Sequence, residues 1–360
     1  VLLGSFLTHF KSNQMGLQDI HSLSKNARNR KRSKLFLEVF ARFHERYQEE
    51  LAKPKPPEVD FNDMISLATR HIREGRSKTP WRYFIVDEFQ DISKGRYLLL
   101  DAMLKASRGS KFFAVGDDWQ SIYRFAGSDI SIMTKFRKFF GRATIVKLDQ
   151  TFRFNNSIAA TSGKFVQKNP AQIRKSLLTF TKTEEPKVFM HPVIAKEQSR
   201  QTIKAKLIEV ACAIAKSSEI KGQSLQVLSR YNHLLPDAQG IHSLKEVWDG
   251  EVKIPLTIHR SKGLQADIVF VLGLLASEYG FPSEIEDDPL LNLVLSEPEI
   301  FPDAEERRLM YVAMTRAKHE THLFYDAQNP SSFAIELMQP YYQVDADFRA
   351  DQSAQSGAGG

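Results

Sequence analysis

Two short apolar runs in this sequence each end in adjacent acidic residues. Tyr83–Val86 leads into Asp87-Glu88, and Phe112–Val115 leads into Gly116-Asp117-Asp118. Short apolar runs of this kind read as buried strands of a parallel sheet, whose C-terminal ends project polar residues into a ligand crevice. Carboxylates at two neighbouring strand ends suit a Mg²⁺–nucleotide site, one holding the metal's water shell and another polarising an attacking water. An isolated Asp-Glu after an apolar run serves equally well as a helix cap. The second run, however, continues through Gln120, Tyr123, Arg124 and Phe125, a polar and aromatic series that hydrolysis alone does not need.

The elements that position these residues belong to a chain of 360 residues, long enough for two or three domains with sizeable cores. Its apolar content of 42% and charged content of 26% are ordinary for a globular protein. Apolar runs such as Ile268–Leu275 fall far short of the roughly 20 residues that a membrane-spanning helix needs, and no leader pattern opens the chain. With one cysteine, Cys212, there is no internal disulfide, which points to a reducing cytoplasmic setting. The net charge of +7 leans towards a polyanionic partner.

Residues 1–58 read as helical and basic. The run Lys25–Lys34 carries no acid and precedes Leu35, Phe36, Val39, Phe40 and Phe43, the spacing of an amphipathic helix packed by one face. That run suits phosphate contacts or a solvated helix start. The prolines within Leu51–Asp60 mark a domain boundary. Helices are predicted at Phe61–Ile72, Tyr97–Lys105, Ile130–Phe140 and Ile203–Ala215, and strands at Ala143–Leu148, Lys187–Val193 and Leu225–Leu228. Glu284–Glu306, acidic and proline-interrupted, reads as a solvated loop. The tail DQSAQSGAGG reads as disordered.

Five segments carry a family resemblance: VDEFQD, VGDDWQSIYRF, LDQTFRFNNSIA, PLTIHRSKGLQADIVFVLGL and EERRLMYVAMTRAKHETHLFY. In that order they resemble motifs II to VI of the UvrD/Rep-like superfamily 1 helicases. Phe152 stands where the family has Tyr, and Gln265 where it has Glu. The GLQAD and GDDWQ forms look most like the DNA helicase IV branch. So does the lack of room before the fifth-motif strand for the extra 2B subdomain. The resemblance implies an α/β fold of two RecA-like P-loop NTPase lobes, the first incomplete. Residues 1–58 would be a partial helical 1B-like subdomain, 59–147 the C-terminal part of lobe 1A, 148–340 lobe 2A, and 341–360 the disordered tail.

The same resemblance implies roles. Asp87 would hold Mg²⁺, Glu88 would activate water, Gln120 would sense the γ-phosphate, and Arg316 would act as an arginine finger. Phe152 and Arg153 would contact the adenine and γ-phosphate of ATP, with Gly263 and Gln265 near the sugar. Tyr123 and Phe125 would stack on bases, and Thr257 and His259 would meet the DNA backbone. Taken residue by residue, Arg153 also suits a surface ion pair, His259 a backbone-bonded histidine, and the two aromatics ordinary core.

No G-x-x-x-x-G-K-[ST] phosphate loop occurs in the sequence. The expectation is therefore a C-terminal portion of a 3′–5′ DNA helicase or single-strand translocase, inactive alone and completed by the missing N-terminal part of the same protein. The partners implied are single-stranded DNA and duplex junctions, with repair or replication proteins and no membrane. The competing reading is a non-catalytic module that binds single-stranded nucleic acid or a protein partner.

Overall fold

The computed structural model describes residues 1–20, 22–23, 29–194, 200–216 and 221–346. Residues 25–28 of the basic run, and the tail from 347 onwards, lie outside them. No helix among the described residues is long and apolar enough to cross a membrane. The chain forms two compact units, Val1–Ile145 with Glu286–Ile300, and Val146–Ile285 with Phe301–Gly360.

In the first unit, α1 (Leu2–Ser12) buries Phe6, Leu7 and Phe10 against Leu37 and Phe40 of α2 (Arg30–Ala52). Asn29 opens α2 by accepting the Arg32 amide at 3.1 Å. The packed stripe differs from the sequence expectation. Leu37 and Phe40 are buried, whereas Leu35, Val39 and Phe43 are exposed. Two apolar stripes overlap on this helix, and only one meets α1. The prolines after α2 end it, and Asp60 then caps α3 (Phe61–Arg73) in a reciprocal box with Asp63. Lys11 of α1, almost fully buried, pairs with Asp60 at 2.5 Å and Asp63 at 2.7 Å. The helices on both sides of the proline break therefore share one unit.

β1 (Tyr83–Val86), α4 (Lys94–Ala106) and β2 (Lys111–Ala114) follow, the strands pairing in parallel. Phe84, Val86, Phe112 and Ala114 face a cluster containing Leu100 of α4, Ile132 of α5 (Ile130–Thr134) and Phe136 and Phe140 of α6 (Phe136–Phe140). The single helix expected over Ile130–Phe140 is thus two short ones, broken at Lys135 (φ −107°, ψ 34°). Ala143–Leu148 is irregular instead of a strand, with Val146 and Leu148 exposed. An extended segment without a neighbour to take its backbone hydrogen bonds does not become a strand.

In the second unit, β3 (Gln150–Thr151) pairs with β4 (Leu178–Thr179) across α7 (Asn156–Val166). The main sheet has five strands, all parallel. They are β5 (Val188–Val193), β6 (Leu225–Ser229), β7 (Leu256–Thr257), β8 (Ala266–Leu274) and β9 (Ala317–Asp326), in the order β5-β9-β8-β6-β7. Leu207, Val210, Ala211 and Ile214 of α8 (Arg200–Ala215) and Leu244 of α9 (Ala238–Val247) pack with Ile268, Phe270 and Leu272 on one face. α7 and α10 (Ala304–Met314) contact the sheet and each other, and Thr321 Oγ1 donates to Met314 O at 3.0 Å. Between β6 and β7 there is only α9 and a short 3₁₀ turn, with no inserted subdomain.

Candidate functional site

The parallel register sets Val86 opposite Ala114, so Asp87-Glu88 and Gly116-Asp117 leave β1 and β2 at the same end. Beyond the strands, Val115 N donates to Val86 O and Phe89 N donates to Val115 O, each at 2.9 Å. Glu88 adopts the left-handed conformation (φ +48°), which costs a non-glycine residue about 1–2 kcal/mol. The turn leaves both the Asp87 and Glu88 residues exposed at the strand end, with Asp87 Oδ1 accepting the Glu88 amide at 2.8 Å.

Beneath this pair lies Gln90, fully buried. Its Nε2 donates to Glu88 Oε2 at 2.5 Å, and its Oε1 accepts the Asp117 amide at 2.9 Å. Asp117 Oδ2 accepts from Gln120 Nε2 at 2.7 Å, and its Oδ1 accepts the Trp119 amide at 3.1 Å. One hydrogen-bonded series thus runs Glu88–Gln90–Asp117–Gln120. A Cβ on Gly116 would stand 2.6 Å from Gln90 Oε1 and 3.0 Å from the Phe89 nitrogen, so this close approach requires glycine. Asp117 stands at the second acidic strand end read from the sequence, whereas Gln90 is not among the site residues that reading names. The signal was a glutamine two residues after an acidic strand end, which by type alone looks like a surface residue.

Trp119 and Ile122 are fully buried and anchor the loop that follows. Tyr123 is half-buried and Phe125 is 52% exposed, their rings 6.1 Å apart and tilted by 64°. Burial pushes the Tyr123 phenol above its ordinary pKa, and the charges of Asp91 and Glu88 add to the effect, so it stays protonated.

In the second unit, Phe152 is 69% exposed beside Phe180, with ring centroids 5.5 Å apart. Arg153 is exposed as well, and its side chain makes no hydrogen bond or ion pair among the described residues. Gly263 turns the chain in the left-handed region (φ +83°). The structure ties that turn to the end of α10. Arg316, 2% exposed, donates from Nη1 to Leu264 O at 3.2 Å and from Nε to Val312 O at 3.0 Å, while Ala266 N donates to Arg316 O at 3.0 Å. Gly263, Gln265 and Arg316 are therefore brought together, with the arginine clasped against the turn. Thr257, half-buried, pairs with Ser229, and His259 is half-buried in the 3₁₀ turn Ile258–Ser261.

Two observations test the groups that the resemblance implies. The Asp87-Glu88 end offers hard carboxylate oxygens, the donor type Mg²⁺ takes while keeping most of its ligands as water and phosphate. Gln265 Nε2 is buried without a hydrogen-bond partner among the described residues, as fits a donor reserved for a ligand. The donor sets fit Mg²⁺ and a nucleotide.

Comparison with known proteins agrees with the motifs. Residues 3–141 match the UvrD/REP helicase N-terminal domain family, and residues 167–328 match the UvrD-like helicase C-terminal domain family. The chain belongs to the UvrD/Rep-like superfamily 1 helicases. It is 38% identical to DNA helicase IV of Escherichia coli K12 over 78% of this chain and 39% of that protein. It is 28% identical to a probable DNA helicase of Mycoplasma pneumoniae over 79% of this chain and 50% of that protein. With DNA helicase II of Rickettsia typhi it shares 32% identity over 38% of this chain and 19% of that protein. The chain thus spans half or less of the length of these relatives.

Proposed function

We propose that this chain is the C-terminal motor portion of an ATP-dependent DNA helicase, in which ATP hydrolysis drives movement along single-stranded DNA in the 3′–5′ direction. The observation that carries the reading is the hydrogen-bonded series Glu88–Gln90–Asp117–Gln120, centred on buried Gln90, which ends three residues before Tyr123 and five before Phe125. A change at the carboxylate end has a hydrogen-bonded route to the aromatic loop.

In this reading Asp87 holds Mg²⁺ and Glu88 takes the proton from the attacking water. Gln120 reports on the phosphate through Asp117. Bound Mg²⁺ supplies charge neutralisation for the transferring phosphoryl group. Phe152 offers a stacking face to the base, Gln265 a donor to the sugar, and Arg153 and Arg316 positive charge to the phosphates. Tyr123 and Phe125 stack on bases, and Thr257 and His259 hold the backbone.

The sequence contains no phosphate loop, and the β1–β2 face bearing Tyr83, Ile85 and Phe113 is 61–73% exposed. Parallel sheets are normally covered on both faces. Both points support a site completed by a further part of the protein, so the 360-residue chain alone hydrolyses ATP negligibly. The test is Glu88→Gln in the full-length protein. DNA-stimulated turnover is expected to fall by about a hundredfold or more while nucleotide binding persists, as for loss of a general base. Loss of binding with turnover would assign Glu88 a structural role. Single-strand binding without any turnover in the wild-type protein would instead favour a non-catalytic module.

A further inference from the structure

Arg124 lies between half-buried Tyr123 and exposed Phe125, where a direct phosphate contact is the obvious assignment, yet its side chain is only 17% exposed. Its guanidinium is engaged by residues 286–300, the acidic segment expected to be a solvated loop. Nη1 donates to Asp287 Oδ2 at 3.2 Å, and Nη2 donates to Asn292 Oδ1 at 3.2 Å and to Ser296 O at 2.8 Å. Ser296 Oγ then donates to Ser128 O at 3.3 Å, on the far side of the same loop.

The segment is itself anchored within the unit. Val294 is 2% exposed and packs among Phe6, Phe10, Leu37 and Phe40, with Leu291 and Leu293 beside it. Asn13 Nδ2 donates to Val294 O, and Arg32 pairs with Asp288 at 2.7 Å. Asn292 Oδ1 and Ser296 O are neutral acceptors that share Nη2, while Nη1 meets the carboxylate of Asp287, so both arms of a planar fork are used. Such an arrangement uses the shape of arginine as much as its charge.

We propose that residues 286–300 form a strap that positions the Tyr123–Phe125 aromatic pair, with Arg124 as the positioning residue through which the strap acts. The proposal rests on the reading of this loop as the single-strand contact. The strap holds both ends of the loop, at Arg124 and Ser128, so the rings are presented in a fixed arrangement before any base arrives. Preorganisation of this kind raises affinity by removing an ordering cost that binding would otherwise carry.

The test uses the 360-residue chain and an oligothymidylate carrying 2-aminopurine, titrated at several salt concentrations, with Arg124→Lys and Asn292→Ala. Lysine keeps the charge and loses the fork, whereas Asn292→Ala removes no charge. Both variants are expected to weaken binding by about tenfold, the worth of one stacked base, with smaller 2-aminopurine quenching and an unchanged salt slope. Full retention of affinity by Arg124→Lys, together with loss of about one unit of salt slope in Arg124→Ala, would make Arg124 a phosphate contact and overturn the strap. Amide hydrogen exchange on the DNA-free proteins gives a readout independent of binding. The amides of Ala126, Gly127 and Ser128, bonded within the loop to Tyr123 O and Arg124 O, are expected to exchange faster in Asn292→Ala. Unchanged exchange there would overturn the proposal. Faster exchange with no oligonucleotide binding by the wild-type chain would leave the strap standing and refute the loop's assignment to DNA.

Discussion

In the second unit, Ile268 through Leu272 of β8 are wholly inaccessible to solvent, with neighbours β9 and β6 on either side. In the first unit, β1 and β2 alternate: Phe84 is 7% exposed, but Tyr83, Ile85 and Phe113 are between 61% and 73% exposed. Both sheets are parallel and built from similar apolar residues. The difference is what lies on the second face: helices cover the five-stranded sheet, and nothing among the described residues covers one side of the pair. The proposed hydrolytic carboxylates Asp87 and Glu88, the series through Gln90, Asp117 and Gln120, and the aromatics Tyr123 and Phe125 all follow the barer sheet, whereas the second unit carries Phe152, Arg153, Gln265 and Arg316. The residues proposed for metal binding and water activation thus sit on the less regular of the two units, where loops, caps and the strap position them.

The well-covered sheet has a weakness that acid should reveal. His191 Nε2 and His322 Nδ1 are 2.9 Å apart in its interior, stacked among Phe189 and Phe324. Burial is the main cause that pushes both imidazoles below their ordinary pKa, to about 2 for His191, where the neighbouring His322 and Lys206 lower it further. Above pH 6.5 each histidine is neutral whether folded or unfolded, so stability does not depend on it. Below that pH the unfolded chain takes up protons that the folded sheet refuses. Stability then falls by about 1.4 kcal/mol for each pH unit through His191, and His322 adds a loss of the same sign. Denaturant unfolding at pH 7.5, 6 and 5 measures this slope. The double substitution His191→Phe with His322→Phe should flatten it, leaving the contributions of His9 and His44, whose pKa values burial also lowers. An equal slope in the double variant would place the acid sensitivity outside this histidine pair and remove this part of the contrast.

What was legible in the sequence follows the same division. The strand ends at Asp87 and Asp117, and the α10–β9 segment with Arg316, could be read because local apolar patterning and adjacent polar residues suffice to place them. Gln90 could not, because its role arises only when the left-handed turn at Glu88 folds it beneath both strand ends. The strap was hidden by composition: acids and prolines suggested solvent, while the i, i+4 pair Leu290 and Val294, both buried, was outweighed. On α2 the periodicity was correct but ambiguous, and tertiary packing selected Leu37 and Phe40 over Leu35, Val39 and Phe43. Ala143–Leu148 had strand composition without a strand partner.

A middle-sized effect is expected at the junction between the bare sheet and its chemistry. Gln90→Leu removes the donor to Glu88 and leaves the Asp117 amide without its acceptor. An unsatisfied buried group of this kind costs about 1–3 kcal/mol, which unfolding of the 360-residue chain would register. In the full-length protein, DNA-stimulated turnover should fall with little change in nucleotide binding, since Gln90 bonds Glu88 and Asp117, not the residue proposed to hold Mg²⁺. Unimpaired turnover would mean that the hydrogen-bonded series holds the fold without transmitting anything, and the chemistry of the first unit would reduce to its carboxylates.

The smallest effect is the most discriminating for the comparison itself. Ile85 is 73% exposed on the open face of β1, so Ile85→Ser in the 360-residue chain should change stability by no more than about 0.5 kcal/mol. If the complete protein lays further structure on that face, the same substitution there removes a buried side chain worth about 1.5–3 kcal/mol. The quantity to measure is therefore the difference between the two contexts, by denaturant unfolding of each wild-type and variant pair. A difference near zero would mean that the face remains in water in the full-length protein. The contrast between the sheets would then be a property of the motor itself, and the exposed face would lend no support to a completed phosphate site. A difference of about 1 kcal/mol or more, a normal share of full burial, would show that the two sheets become alike once the protein is whole.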